Sequence, residues 1–479
     1  MNVAAVLMEI LKSAGVRYLF GNPGTTELPF LDALPDSGLE YVLGLQEATV
    51  VAAADGYAQA TGRVGVANVH VAPGLANSLS ILHNAARAKS PVVVTAGQQD
   101  TRFLMHEPIL AGDLARMAEP FTKWSYEIRR ADEAPTALRR ALKVALTPPT
   151  GPVFLSLPMD LMGPAVEDTA APPPPVAARS RPEPAALAQA AELLADARAP
   201  IIIAGDGVAR AQAVSELTAL AELLGARVHG EPVYRRTSFP GNHALWRGGL
   251  FPSPMGVRRA LEECDALLIV GANVFTWFLH TEGTPFPRGL RVVQIDDDPW
   301  EIGRSHPVAL GIAADPKATL AELSDALRSR LTAAARAEAA ARMEKIGRAR
   351  AELMQRVRAA AQSEAERVPI GQAHLMHTLA ALLPADAVVV DESATSLPFV
   401  LRYLPFATPG SFFGGKTGTL GWGMGAAIGV QLGSPGRKVV ATIGDGSVMY
   451  APQALWTAAH YRLPITYVVP NNSSYAILK

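Results

Sequence analysis

The sequence predicts an α/β protein built from three doubly wound parallel-sheet domains, and three observations predict it. Short runs of buried-strand character at 64–69, 92–96 and 153–157 alternate with stretches of helical spacing, the pattern of strands covered on both faces. The same alternation begins again near Ala185 and a third time near Pro369. A chain of 479 residues is also long enough for about three domains.

In the first unit, Val3, Leu7, Ile10 and Leu11 recur at helical spacing. Residues 17–20 then shorten into a strand broken by Gly21-Asn22-Pro23-Gly24, and a second helix is expected over 48–59. This gives an N-terminal domain over 1–166. Residues 167–184 contain the unbroken run 172–175 of prolines and few large apolar side chains, so they read as a linker. A middle domain over 185–331 follows, with buried strands expected at 201–204, 266–270 and 292–295. From 332 to 368 the chain is rich in Ala, Arg and Glu, a helix-forming composition that reads as a helical connector. The C-terminal domain, 369–479, carries expected strands at 387–390, 439–443 and 465–469 and a helix over 451–461. Because the sequence stops just past that last strand, this domain is expected to be incomplete.

Composition narrows the function. Apolar residues make up 49% and charged residues 18%, so large cores are available and disorder is not expected. With 43 basic against 44 acidic residues, no excess of positive charge exists to neutralise a phosphate backbone, which argues against a nucleic-acid partner. The single cysteine, Cys264, can form neither an internal disulfide nor a thiolate metal cage, and fits a reducing compartment. The longest apolar run, 266–279, spans 14 residues and contains Asn273, short of the roughly 18 that a membrane span needs. The N-terminus reaches Glu9 before any lysine and shows no signal peptide, so a cytoplasmic location without a membrane partner is expected.

The chemistry concentrates late in the chain. One buried strand ends in Gly444-Asp445-Gly446-Ser447, a second in Pro470-Asn471-Asn472, and 24 residues separate Gly446 from Asn471. In an open parallel sheet the carboxyl ends of the strands face a common crevice, so this spacing sets Asp445 and Asn472 side by side. A carboxylate and an amide oxygen are hard ligands suited to Mg2+ or Ca2+ rather than zinc. Two such ligands are too few for a metal, and a diphosphate would complete the set. The flanking glycines, Gly446 among them, let main-chain N–H groups approach phosphate oxygens, and Ser447 adds a hydroxyl at the helix start. Gly205-Asp206-Gly207 also follows a buried strand, but no Asn pair stands at the same distance after it, and it reads as a turn.

Gly-Asp-Gly-Ser followed at this distance by Asn-Asn resembles the thiamine diphosphate-binding motif. The whole chain resembles the thiamine diphosphate-dependent decarboxylase superfamily, and within it the benzoylformate decarboxylases. Local matches are Phe20-Gly21-Asn22-Pro23-Gly24, Leu45-Gln46-Glu47-Ala48, Asp55-Gly56-Tyr57-Ala58, Thr95-Ala96-Gly97-Gln98-Gln99, Lys123-Trp124-Ser125-Tyr126 and Ala454-Leu455-Trp456-Thr457-Ala458-Ala459. The resemblance implies that domain 1–166 binds the aminopyrimidine and domain 369–479 the diphosphate. It implies nonoxidative decarboxylation of a benzoylformate-like 2-keto acid to an aldehyde, by ylide addition and an enamine intermediate.

It also assigns residues. Glu47 would drive the aminopyrimidine to its imino form, which generates the ylide. Asp445, Asn472 and the main-chain oxygen of Ser474 would hold Mg2+ or Ca2+. Ser447, Thr395 and Tyr475 would contact the diphosphate beside Gly446. Gly418 and Leu420 would meet the aminopyrimidine, with Leu420 propping the bent cofactor. His70 would relay protons to the substrate adduct, and Thr25 would bind the substrate carboxylate. Since Glu47 and the metal site act from different subunits in the family, a homodimer at least, commonly a tetramer, is implied.

The match departs from the family at several places. Phe278 stands where benzoylformate decarboxylases carry a second catalytic histidine, and His280 follows two residues later; a rebuilt loop would be needed for it to substitute. Gly414 and Gly415 replace larger pocket side chains, and Ile477 replaces a smaller one. These changes keep open a carboligase reading, of the acetohydroxyacid synthase or benzaldehyde lyase kind. Two other classes remain: a dinucleotide-binding oxidoreductase through Gly421-Trp422-Gly423-Met424-Gly425-Ala426, which follows no clear strand, and an inactive homologue, against which the retention of Glu47 and His70 argues.

Overall fold

The computed structural model describes all of residues 1–479 except Pro175, in the Pro-rich linker, and Leu279. Three sheets carry the fold. The first contains β1 (Tyr18–Asn22), β2 (Glu40–Leu43), β3 (Gly65–Val69), β4 (Val92–Gln98), β5 (Trp124–Glu127) and β6 (Val153–Pro158), in the order β2-β1-β3-β4-β6-β5. The second contains β7 (Pro200–Ala204), β8 (Arg227–Gly230), β9 (Trp246–Gly249), β10 (Ala266–Val270), β11 (Arg291–Asp296) and β12 (Leu310–Ala313), in the order β12-β11-β10-β7-β8-β9. The third contains β13 (Val388–Glu392), β14 (Phe412–Gly414), β15 (Val439–Ile443) and β16 (Thr466–Val468), in the order β14-β13-β15-β16.

The central strands pair in parallel: β1 with β3, β7 with β10, β13 with β15. Their apolar runs follow from that arrangement, because helices on both faces leave no side to solvent. Val92, Val93 and Val94 are fully buried, as are Ile201, Ile202 and Ile203. The chain order reverses at β7/β10 in the second sheet, at β13/β15 in the third, and in the first at β1/β3 and again at the β6-β5 edge; interior switch points of this kind are where open α/β sheets hold ligands.

Packing gathers the chain into two compact units. One comprises residues 1–178, 387–395 and 413–479, so it holds the first sheet and all of the third but Phe412; the other comprises 179–386 and 396–412. Pro184 opens a helix, Pro184–Ala195, at the position where proline's missing N–H costs nothing. Ala333–Ser363 forms a single 31-residue helix with only Ala339 and Ala361 buried. No described helix is long and apolar enough to cross a membrane.

In the first unit, the helix Glu47–Thr61 packs on the helix Trp422–Gly433, and both contribute to one apolar core with Phe20, Val51, Ile428 and Val439. The approach is backbone to backbone. A Cβ on Gly429 would overlap the carbonyl oxygen of Ala53, and one on Gly56 would overlap that of Ala426. The glycine run 421–426, which by spacing could have cradled a dinucleotide, is therefore part of a helix interface and of the turn that enters it.

Gly429→Val is expected to destabilise the protein by at least about 1–3 kcal/mol, because the obstructing atoms are backbone and cannot rotate away. Gly163→Ala, where a methyl would meet nothing within 4 Å, should stay within roughly 0.5 kcal/mol of wild type. Thermal denaturation of the two variants checks the contrast.

Candidate active site

Residues from the first sheet's switch point converge first. Gln46 accepts the N–H of Thr49 at 3.0 Å and caps the helix Glu47–Thr61, placing Glu47 in its first turn, where the helix dipole favours a carboxylate. Glu47 is buried, and each of its oxygens accepts from an amide: Asn22 Nδ2 at the end of β1 and Asn77 Nδ2 on the helix Val71–Arg87, both at 3.1 Å. Two donors from two elements fix the carboxylate in place. His70, at the end of β3, lies across Gly74 from it: a Cβ added there would stand 3.2 Å from Glu47 Oε1 and 3.4 Å from His70 Cβ.

His70 is held by Glu27, which is 1% exposed. Glu27 Oε2 accepts from Gly24 N at 2.8 Å and lies 2.7 Å from His70 Nδ1, while Oε1 accepts from Thr26 Oγ1 at 2.9 Å and from Gly97 N at 2.8 Å. Gly97 reaches it because a Cβ there would overlap Oε1. An ionised carboxylate only accepts, so beside Glu27 the proton sits on Nδ1 and Nε2 is left as an acceptor. Among the described residues Nε2 has no hydrogen-bond partner. Thr25 is exposed on the turn that links Gly24 to Glu27.

The third sheet's switch point assembles the other group. β15 and β16 are parallel neighbours, and Ser473 N donates to Asp445 Oδ2 at 2.9 Å, tying the two strand ends together. Asn472 Oδ1 accepts from Ser474 N at 2.9 Å. The Tyr475 ring lies against Gly446, 3.7 Å from where a Cβ would stand. Ser447 is buried, Thr395 is half-buried just past β13, and Gly418 adopts φ +77° two residues before half-buried Leu420.

The donor chemistry fits a hard divalent cation with a diphosphate. One carboxylate, one amide oxygen and a main-chain oxygen are available, and no described cluster of three His, Cys, Asp or Glu side chains competes with them. A single carboxylate leaves the cation with net positive charge for phosphate oxygens to balance.

Glu392, at the end of β13, was not among the expected site residues. Its carboxylate accepts from Gly421 N at 2.6 Å and from Gly423 N, at the start of the helix Trp422–Gly433, and also bonds Ser447. Burial pushes it up to about 7, outweighing the N–H bonds that favour its charged form. Two acids, Asp391-Glu392, closing an apolar strand were the available signal. For Glu27 the signal was an acidic residue three positions after Gly24, the spacing of a capping box.

His280 is exposed in the connection between β10 and β11 of the middle domain, beside Leu279, which lies outside the described residues; Phe278 is also exposed. At that domain's own switch point, Glu231 accepts from Asp206 N at 3.0 Å and Asn273 N at 2.9 Å. Two main-chain donors at this switch point are thus taken by a carboxylate of the chain itself.

Residues 1–114 match the N-terminal TPP-binding domain of thiamine pyrophosphate enzymes, 187–323 their central domain, and 394–479 their C-terminal TPP-binding domain. The chain belongs to the thiamine pyrophosphate enzyme family. It is 36% identical to a benzoylformate decarboxylase of Pseudomonas aeruginosa over 98% of this chain and 86% of that one. It is 27% identical to a probable acetolactate synthase large subunit of Methanocaldococcus jannaschii, over 100% of this chain and 81% of the relative. The crystal structure of benzoylformate decarboxylase from Polynucleobacter necessarius superposes with a TM-score of 0.88 at 31% identity, covering 100% of this chain and 87% of that one.

Two outcomes follow from the site. Selective 15N-histidine NMR should show His70 as the Nδ1–H tautomer, and Glu27→Ala should mix the two tautomers. Second, unfolded Glu392 ionises near 4.5 while the folded group keeps its proton to about 7. Its stabilising contribution is therefore fully present below pH ~4.5 and is lost as the pH rises through 7, by on the order of 1–3 kcal/mol. Urea unfolding should show wild type losing stability relative to Glu392→Gln across that window.

Proposed function

We propose that this protein catalyses thiamine diphosphate-dependent nonoxidative decarboxylation of an aryl 2-keto acid such as benzoylformate, releasing CO2 and an aldehyde. The observation that carries the reading is the pair of clamped side chains at one crevice, Glu47 held by two amides and His70 held by Glu27. Asp445, Asn472 and the Ser474 carbonyl would hold Mg2+, with Ser447, Thr395, Gly446 and Tyr475 around the diphosphate and Gly418 and Leu420 against the aminopyrimidine. Bound thiamine diphosphate supplies a carbon nucleophile and a sink for the electron pair left when the carboxylate departs as CO2.

The chain's own residues do the rest. Glu47 holds and polarises the aminopyrimidine from a fixed position. The Thr25 hydroxyl donates to the substrate carboxylate. His70 Nε2 carries the proton that ends on the aldehyde carbon, while Glu27 stabilises the imidazolium formed in transit.

In this proposal two chains complete each site. Glu47 bonds only within the N-terminal domain among the described residues, and no hydrogen bond joins it to the Asp445 group. Apolar surface is exposed beside both groups, with Leu45 at 46%, Tyr450 at 55% and Trp456 at 40%, which a second copy would cover.

A carboligase reading is favoured by one observation, Phe278 in place of the family's second histidine. Slower protonation gives an acceptor aldehyde time to react.

Protein given thiamine diphosphate, Mg2+ and benzoylformate should yield benzaldehyde as its main product by chromatography. A hydroxyketone in its place supports the carboligase reading, and no product with cofactor bound removes the aryl substrate. Glu47→Gln should still bind the cofactor and lose turnover by roughly 10²-fold or more; near-wild-type turnover would remove the role given to Glu47.

A further inference from the structure

The segment 415–421 carries Gly418 and Leu420, yet it has no regular secondary structure of its own. It passes through left-handed conformations at Gly418, φ +77°, and Gly421, φ +91°. Its shape must therefore be imposed from outside, and side chains of two other elements impose it.

At one end stands Asn84, on the helix Val71–Arg87 and fully buried. Its Oδ1 accepts from Lys416 N at 2.7 Å and from Thr417 N at 3.2 Å, and Gly415 lies alongside. Its Nδ2 donates to Asp55 Oδ2 at 3.0 Å, which settles which way the amide faces. Asp55 is itself fully buried and accepts from Gln59 Nε2 at 2.9 Å and Trp422 Nε1 at 2.7 Å. At the other end Glu392 takes the N–H groups of Gly421 and Gly423. Between these holds, the Thr417 and Thr419 hydroxyls bond each other at 2.8 Å, and Thr419 Oγ1 reaches Ser80 O.

We propose that Asn84, oriented by Asp55, is a positioning residue that shapes the segment 416–420 to receive the aminopyrimidine of thiamine diphosphate. It touches neither cofactor nor substrate. It acts by giving two main-chain N–H groups a fixed acceptor inside the core, which a loop exposed to water would lack. An N-terminal-domain residue thereby sets affinity for the cofactor through the C-terminal domain's backbone. The inference rests on the cofactor reading above, and its test separates the two.

The experiment titrates full-length wild-type, Asn84→Ala and Asn84→Asp proteins by calorimetry in Mg2+, once with thiamine diphosphate and once with inorganic diphosphate. Inorganic diphosphate probes the Asp445 half of the site without the aminopyrimidine half. Losing two buried hydrogen bonds to the segment should weaken thiamine diphosphate binding by Asn84→Ala roughly tenfold. Inorganic diphosphate should bind this variant as it binds wild type. Asn84→Asp keeps an oxygen facing Lys416 N but sets a carboxyl oxygen against Asp55 Oδ2 in place of the orienting N–H, so it should recover the lost affinity only at acidic pH, where the two carboxyls can share a proton. Unchanged thiamine diphosphate binding by Asn84→Ala, or equal losses for both ligands, would overturn the proposal. If wild type binds inorganic diphosphate but not thiamine diphosphate, the cofactor reading falls and takes the inference with it. Should Asn84→Ala not fold, hydrogen exchange of the wild type decides: slow exchange at the amides of Lys416 and Thr417 supports the clamp, and exchange at surface-loop rates overturns it.

Discussion

Two helices meet with almost no side chain between them, and the functional half of the chain depends on that contact. Glu47–Thr61 and Trp422–Gly433 come together through Gly56, Gly425 and Gly429, close enough that a single methyl would strike backbone. One helix begins at Glu47. The other begins where the segment bearing Gly418 and Leu420 ends. Close packing of this kind is discrete rather than adjustable, so it sets the helix that begins at Glu47 and the segment that bears Gly418 and Leu420 relative to each other with little freedom.

Buried carboxylates finish what the packing begins. Glu27, Asp55, Glu231 and Glu392 each accept several N–H groups. A carboxylate out of water is costly unless such donors surround it, and when they do, it ties loops from several elements to one point. Glu27 joins the turn after β1, the end of β4 and His70. Asp55 joins three helices. Glu392 joins β13 to the start of the Trp422 helix. Glu231 joins the loops after β7 and β10. The same physical device thus orients His70 in one domain and holds two loop N–H groups in another.

How much of this was legible follows from what each feature rests on. The central strands were readable because parallel strands buried on both faces are continuous apolar runs, as at Val92–Gln98 and Val388–Glu392. Strands such as Arg227–Gly230, Trp246–Gly249 and Leu310–Ala313 are short and mix polar or glycine residues with apolar ones, so no run announces them. The strand ends that carry Asp445 and Asn472 could be expected side by side because one crossover joins neighbouring strands, and Ser473 N reaches Asp445 across them. Asn77 and Asn84 could not be placed this way, because their partners, the Glu47 carboxylate and the N–H groups of Lys416 and Thr417, lie far away in sequence. Nor did the sequence show that the first domain shares one compact unit with residues 387–395 and 413–479, since that depends on glycines whose role is visible only when the opposing backbone is present.

The account's central claim is that this fold brings its own residues into a site for thiamine diphosphate with a divalent cation. Its most direct test is calorimetric titration of metal-free apoprotein with thiamine diphosphate, with and without Mg2+. One cofactor bound per chain, only when Mg2+ is present and with affinity lost in Asp445→Ala, is the result the account predicts. Binding that ignores both Mg2+ and Asp445, or no binding at all, would contradict it.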